Sequence, residues 1–129
     1  MRLILVGAFE DEVDPVSDET KRILKSHPGI ILAGWSDAVE YFMPLSFSLV
    51  HPSHREGFPN VLLQAGAMLC PVICSRIEGN VDIVEHGKTG LIFEVMNQAG
   101  LQQRLEQPWQ TLRFKGICKS SPAKDRAIL

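Results

Sequence analysis

The chain has little of what would mark several common classes of protein. Its three cysteines, Cys70, Cys74 and Cys118, are an odd number with no Cys-x-x-Cys spacing. They read as reduced thiols rather than a disulfide framework or a zinc site. No apolar run approaches the ~20 residues of a membrane span. The opening run, Met1 to Val6, is too short and too soon interrupted for a signal peptide, so the sequence reads as cytoplasmic. Charge of one sign is missing too: 13 Lys and Arg against 15 Asp and Glu leave a net −2, which gives no footprint for a nucleic acid. The acidic cluster Glu10-Asp11-Glu12-Asp14 lacks the ligand spacing and central glycine of a calcium loop and reads as a solvated loop. Gly87-Lys88-Thr89-Gly90 has no preceding P-loop glycine and reads as a β-turn. No Gly-x-Ser-x-Gly surrounds Ser53, so Ser53, His54 and Glu56 make no hydrolase elbow.

What is present is a regular alternation. Hydrophobic residues make up 45% of the 129, enough for one domain. Leu3–Val6, Ile30–Ala33, Phe47–Val50, Val72–Cys74 and Leu91–Phe93 are short and rich in Val, Ile and Leu, with no polar alternation. That is the pattern of strands covered on both faces. Between them, 17–26, 37–43, 59–69, 81–86 and 98–107 read as helices. Ser17 or Asp18 is the expected cap of the first, Ser36 or Asp37 of the second and Asn97 of the last. Pro59 suits a first helical turn, where a missing amide proton is harmless. Strict β-α-β order predicts an α/β fold: a doubly wound parallel sheet in a single domain. Residues 1–107 carry this pattern. Residues 108–129 read as an irregular or partly ordered tail, and from Lys115 onward apolar periodicity is lost.

The most informative stretch runs from His54 to Met68: His-Arg-Glu-Gly-Phe-Pro-Asn-Val-Leu-Leu-Gln-Ala-Gly-Ala-Met. It sets an acid, a glycine turn and a helix start directly after a buried strand. An α/β sheet presents a helix N-terminus to an anionic ligand in this way. With Glu56 before the helix and Gln64 within its first turns, the arrangement suits a ligand carrying both phosphate and hydroxyls.

Arg55-Glu56-Gly57-Phe58-Pro59-Asn60, followed by a helix ending Gln64-Ala65-Gly66-Ala67-Met68, resembles the donor-binding motif of family 4 retaining glycosyltransferases. The resemblance runs from Leu3 to about Glu106. It takes in Gly34-Trp35, Pro52-Ser53, Pro71-Val72-Ile73, Gly79-Asn80 and the stretch from Asp82 to Leu91. It implies a Rossmann-like domain forming the C-terminal half of a two-domain GT-B fold. It also implies that the strand, glycine-rich turn and diphosphate-clamping Arg and Lys that open that half, and the acceptor-binding domain before it, are not in this chain. On that expectation the chain is the donor half of a larger enzyme and inactive alone.

The resemblance assigns roles residue by residue. Glu56 would hold the hexose of a nucleotide-sugar near its reacting carbon, since a carboxylate accepts strongly from paired hydroxyls. Gly57, Phe58, Pro59 and Asn60 would form the turn facing sugar and phosphate. Gly57 otherwise reads as a turn glycine at positive φ, and Phe58 as a core plug. Where this chain has Gln64, family members carry a second glutamate on the ribose hydroxyls. Glutamine keeps an acceptor but loses the charge, a change of about 1 kcal/mol. The Gln-Ala-Gly-Ala-Met form is similar to a variant among bacterial surface-polysaccharide enzymes.

Gly34 and Trp35 fall where the family brackets its nucleobase, although Trp35 also reads as packing against the sheet. Gly79 and Asn80 match a loop near the donor sugar. His51 and His54 flank the motif, either within reach of a phosphate or simply structural. The implied reaction moves a hexosyl unit from a UDP- or GDP-sugar to a saccharide or lipid-linked acceptor, with no metal or cofactor. The implied partners are that donor and the N-terminal acceptor domain, with no nucleic acid and at most peripheral membrane association of the parent enzyme. Two other readings stand beside it: a non-catalytic nucleotide-binding or interaction domain, and a sugar-nucleotide epimerase of the same fold.

Overall fold

The computed structural model of the protein describes residues 1–12, 15–107 and 127–129, with Ala127 and Ile128 as backbone alone. Strand β1 (Leu3–Val6) leads through helix α1 (Asp18–Ser26) to β2 (Ile30–Gly34). Then come β3 (Ser46–His51), α2 (Asn60–Ala67), β4 (Val72–Ser75), α3 (Glu78–Val81), β5 (Gly90–Phe93), α4 (Gln98–Glu106) and β6 (Ala127–Ile128). The strands form a six-stranded sheet in the order β2-β1-β6-β3-β4-β5, with every pair parallel. A parallel sheet aligns the carboxyl ends of its strands along one edge, and that edge carries the loops after β3, β4 and β2.

Helix ends follow local chemistry. Ser17 caps α1, its Oγ accepting the Thr20 amide at 3.2 Å, with Asp18 and Glu19 in the first turn and Lys25 in the last. Asn97 caps α4 through the Gly100 amide at 2.8 Å. Pro59 stands one place earlier than expected, as the N-cap residue of α2, and no side chain caps that helix.

Two expected helices differ. The span 37–43 forms not one α-helix but two 3₁₀ turns, Val39–Tyr41 and Met43–Leu45. Pro44 has no amide to donate and restricts Met43 before it, so a helix cannot run through. The helix expected at 81–86 starts earlier and is already over at Val81. Farther on, the Glu85 amide donates to Thr89 Oγ1 at 2.9 Å, while His86 bridges Gly90 around the turn Gly87-Lys88-Thr89.

Alternate residues of β3, β4 and β5 feed two cores, one on each face of the sheet. Leu49, Val72, Cys74 and Ile92 pack with Leu62 and Ala65 of α2 and with Met43. Ile73, Leu91 and Phe93 pack with Val50 and with Leu101 and Leu105 of α4. Cys70 and Cys74 are buried, and burial pushes the Cys74 thiol up to about 11. Cys118 and most of the expected tail lie outside the described residues. The last three residues are central instead. Leu129 donates its amide to the Ser48 carbonyl at 3.0 Å and accepts from the Val50 amide at 2.8 Å. Leu129 is buried, and β6 closes the interval between β1 and β3.

Candidate functional site

The loop leaving β3 turns over the carboxyl edge of the sheet and enters α2. His51 ends β3; Ser53 and Glu56 follow it in the loop. Ser53 Oγ donates to Glu56 Oε1 at 2.8 Å and lies 3.1 Å from His51 Nε2, while Nε2 and Oε1 are 3.5 Å apart. From beneath, Ser75 at the end of β4 donates its hydroxyl to the Ser53 carbonyl. Asn80 in α3 donates Nδ2 to the Ser75 carbonyl at 2.9 Å and to its Oγ at 3.3 Å. A carbonyl oxygen can only accept, so the nitrogen of the Asn80 amide must face Ser75.

The same loop is pressed against α3. A Cβ on Gly79 would lie 2.7 Å from the Gly57 carbonyl oxygen, 3.1 Å from that of Glu56 and 3.1 Å from Pro59 Cδ. Only glycine allows this approach. Gly57 is the opposite case: a Cβ there would meet nothing within 4 Å, and its φ is outside the left-handed region. The fold therefore needs Gly79 and leaves the space above Gly57 open.

Glu56 is partly exposed, its side chain at 35%, while that of His51 is at 15%. Burial lowers the His51 pKa below 6.5, against the smaller upward pull of Glu56, so the imidazole is neutral at pH 7. The start of α2, four residues after Glu56, has no hydrogen bond from its N-cap side chain and offers its first amides to an anion. Asn60 and Gln64 are exposed on α2.

Several residues differ from their sequence reading. Phe58 is not a core plug; it is 62% exposed, and the buried member of the turn is Pro59. Pro59 turns inward with Leu62 and Ala65 of α2, and Phe58 before it is left outside. Trp35 is 79% exposed and packs against no core. It follows Gly34, which ends β2 with a φ of 74°. These two share the sheet edge with Glu56 at three strand spacings' remove, about 14 Å. Asn80 is fully buried, and its amide braces Ser75 rather than facing outward.

His51, Ser53 and Ser75 carry the inner layer of the site, and sequence reasoning did not assemble them. In sequence Ser53 reads as part of the matched Pro52-Ser53 piece, with no hydrolase elbow around it. The geometry rules out a hydrolase triad as well, because a triad needs the acid on the ring nitrogen opposite the serine, and here both meet Nε2. His54 is exposed and outside the network. Among the described residues no three His, Cys, Asp or Glu side chains gather as a metal site. Among the same residues no helix is long and apolar enough to cross a membrane.

The family of glycosyl transferases group 1 matches residues 1–110. The chain belongs to that family. It is similar to the capsular polysaccharide biosynthesis glycosyltransferase CapM of Staphylococcus aureus, at 30% identity over 108 residues. That match covers 83% of this chain and 28% of CapM. The lipopolysaccharide core biosynthesis glycosyltransferase LpsE of Rhizobium meliloti is 31% identical over 75 residues, 58% of this chain and 22% of LpsE. The chain thus spans less than a third of the length of these group 1 relatives.

Among solved structures, Anabaena Alr3699/HepE in complex with UDP superimposes with a TM-score of 0.68 at 25% identity, over 78% of this chain and 29% of that one. The same protein in complex with UDP and glucose gives 0.72 at 22%, over 90% and 34%. The fold is accordingly the Rossmann-like α/β fold of GT-B glycosyltransferases, and the loop from Pro52 to Pro59 lies at the carboxyl edge of its sheet.

Proposed function

We propose that this chain supplies the donor-binding half of a retaining hexosyltransferase of surface-polysaccharide synthesis, in which Glu56 receives the sugar of a nucleotide-sugar. The observation that carries the reading is a half-exposed carboxylate in the loop between β3 and an uncapped α2, at the carboxyl edge of the sheet of a group 1 glycosyl transferase domain. Carboxylate and amides divide the work by charge. Glu56 accepts from sugar hydroxyls, and the α2 amides face the departing phosphate, where electrostatic stabilisation is the main contribution to such a transfer. Gly57 leaves room for the ligand, and Asn60 and Gln64 extend the polar wall. Gly34 and Trp35 take the base at the far end of an extended ligand.

Between UDP and GDP donors, the UDP-bound relative at 25% identity favours UDP. Phosphate is neutralised by helix amides and by cations of the complete enzyme, with no resident metal or cofactor. A saccharide or lipid-linked acceptor is bound by sequence outside this chain, as capsular and lipopolysaccharide relatives suggest. Alone, the chain binds donor without transferring sugar, because acceptor positioning is absent. The enzyme works in the cytoplasm, where nucleotide-sugars are made.

An amide-resolved NMR titration with UDP, GDP, UDP-glucose and GDP-mannose tests the reading, repeated on Glu56→Ala. Shifts at 57–64 and at Gly34 are expected, with a sugar-dependent part that disappears in Glu56→Ala. Shifts identical for nucleotide and nucleotide-sugar would leave a nucleotide-binding domain and overturn the assignment of Glu56. Conversion of one UDP-sugar epimer into another by the complete enzyme would replace transfer with epimerisation.

A further inference from the structure

A serine hydroxyl has one proton, and that fact determines how His51, Ser53 and Glu56 are connected. A carboxylate can only accept, so Ser53 donates to Glu56 Oε1 across 2.8 Å. The contact of 3.1 Å between Ser53 Oγ and His51 Nε2 must then be donated by the ring. His51 is therefore the Nε2–H tautomer, with Nδ1 bare, since burial keeps the imidazole neutral near pH 7. The chain of donors runs from His51 through Ser53 to one oxygen of Glu56, and each bond polarises the next.

The middle of that chain is anchored from below. Ser75 holds the Ser53 carbonyl, and Asn80, fully buried, holds Ser75 at both its carbonyl and its hydroxyl. Each proton has one destination: Asn80 donates to Ser75, Ser75 to Ser53 and Ser53 to Glu56. Among the described residues Glu56 Oε2 receives no hydrogen bond.

We propose that Ser53, oriented by His51 and anchored through Ser75 and Asn80, is a positioning residue that fixes the Glu56 side chain in one rotamer and presents its second oxygen to the ligand. The proposal rests on the donor-binding reading of Glu56 given above. Ser53 itself touches no ligand: its hydroxyl proton goes to Glu56 and its carbonyl to Ser75. Its effect is to remove the freedom a loop glutamate would otherwise lose on binding.

The test uses the whole chain with Ser53→Ala, Ser53→Thr and Glu56→Gln. Scalar couplings across χ1 of Glu56 are read without ligand, and affinities for UDP-glucose and UDP are measured by calorimetry. The native chain and Ser53→Thr should show a single Glu56 rotamer, and Ser53→Ala an average of several. The gain in affinity of UDP-glucose over UDP should fall roughly tenfold in Ser53→Ala and return in Ser53→Thr. The nitrogen spectrum of His51 should show a protonated Nε2.

Unchanged χ1 couplings in Ser53→Ala, or a bare Nε2, would overturn the proposal. If Ser53→Ala keeps the full sugar-dependent gain while Glu56→Gln loses it, positioning by Ser53 is overturned and donor binding by Glu56 stands. If Glu56→Gln leaves UDP-glucose binding untouched, the donor reading falls, and the χ1 couplings still decide whether Ser53 holds Glu56. A thermal melt of each variant separates these outcomes from loss of fold.

Discussion

Strands β2 and β4 are made of similar residues, Ile-Ile-Leu-Ala-Gly and Val-Ile-Cys-Ser, yet they end in different environments. Every residue of β4 is buried, as is every residue of β5. In β2, Ile31 and Leu32 stay 40% and 39% exposed on opposite faces, and α1 beside it buries no residue. Composition does not separate them; cover does. The β3–β5 half has α2 and α4 on its two faces, whereas β2 has beside it α1, which buries no residue. The well-covered half carries Glu56 and its bracing network, and the open half carries Gly34 and Trp35. Rigid positioning is found where packing is densest.

Core truncation gives the largest expected contrast. Ile73→Ala, at a fully buried site in β4, should cost about 2–5 kcal/mol, and Leu32→Ala in β2 only about 1 kcal/mol. Urea unfolding measures both. Equal losses would mean that the two halves are equally packed in solution.

Within the site, the two glycines give the next contrast. Gly79→Ala forces a methyl onto the backbone of Glu56 and Gly57 and should lose about 1–3 kcal/mol. Gly57→Ala meets nothing and should stay within ~0.5 kcal/mol of the native chain. Its effect should fall on UDP-glucose affinity instead, because the methyl enters the ligand's space. A stability loss in Gly57→Ala would show that the loop is packed against something at that point.

The smallest expected effect is a pH dependence. His51 and His86 both have pKa values lowered from 6.5 by burial, the latter also by Arg104 and Arg76. As pH falls through 6.5 the unfolded chain takes up protons first, so stability is lost on acidification and regained toward neutral pH. Urea midpoints should drop between about pH 7.5 and pH 5.5. His51→Gln should flatten part of that slope if the β3 end is as buried as the contrast between halves requires.

Much of the site's outer layer was legible in sequence. Glu56 and Gly57 lie between a buried strand and a helix that Asn60 opens, so linear order alone puts them at the carboxyl edge of the sheet. Their supports were not legible. Ser75 and Ser53 are separated by 22 residues, and no periodicity links them. Asn80 reads in sequence only as part of a loop near the donor sugar, because nothing local reveals that Gly79 brings α3 into contact with the loop. Phe58 lies outside instead of plugging the core, since which of two adjacent apolar residues is buried depends on the direction in which the loop leaves the sheet.

By itself the sequence determined the α/β order, the five strands from β1 to β5 and the caps at Ser17 and Asn97, because periodicity and capping act over a few residues. The tertiary structure alone decided the place of β6. Two residues have no period to read. Ala127 and Ile128 became a central strand because β1 and β3 otherwise face each other across an interval of unpaired backbone groups. The direction of the Glu56 carboxylate was settled in the same way. Ser53 reaches Glu56 within one loop, but its anchors, Ser75 on β4 and Asn80 in α3, come beneath it only through folding.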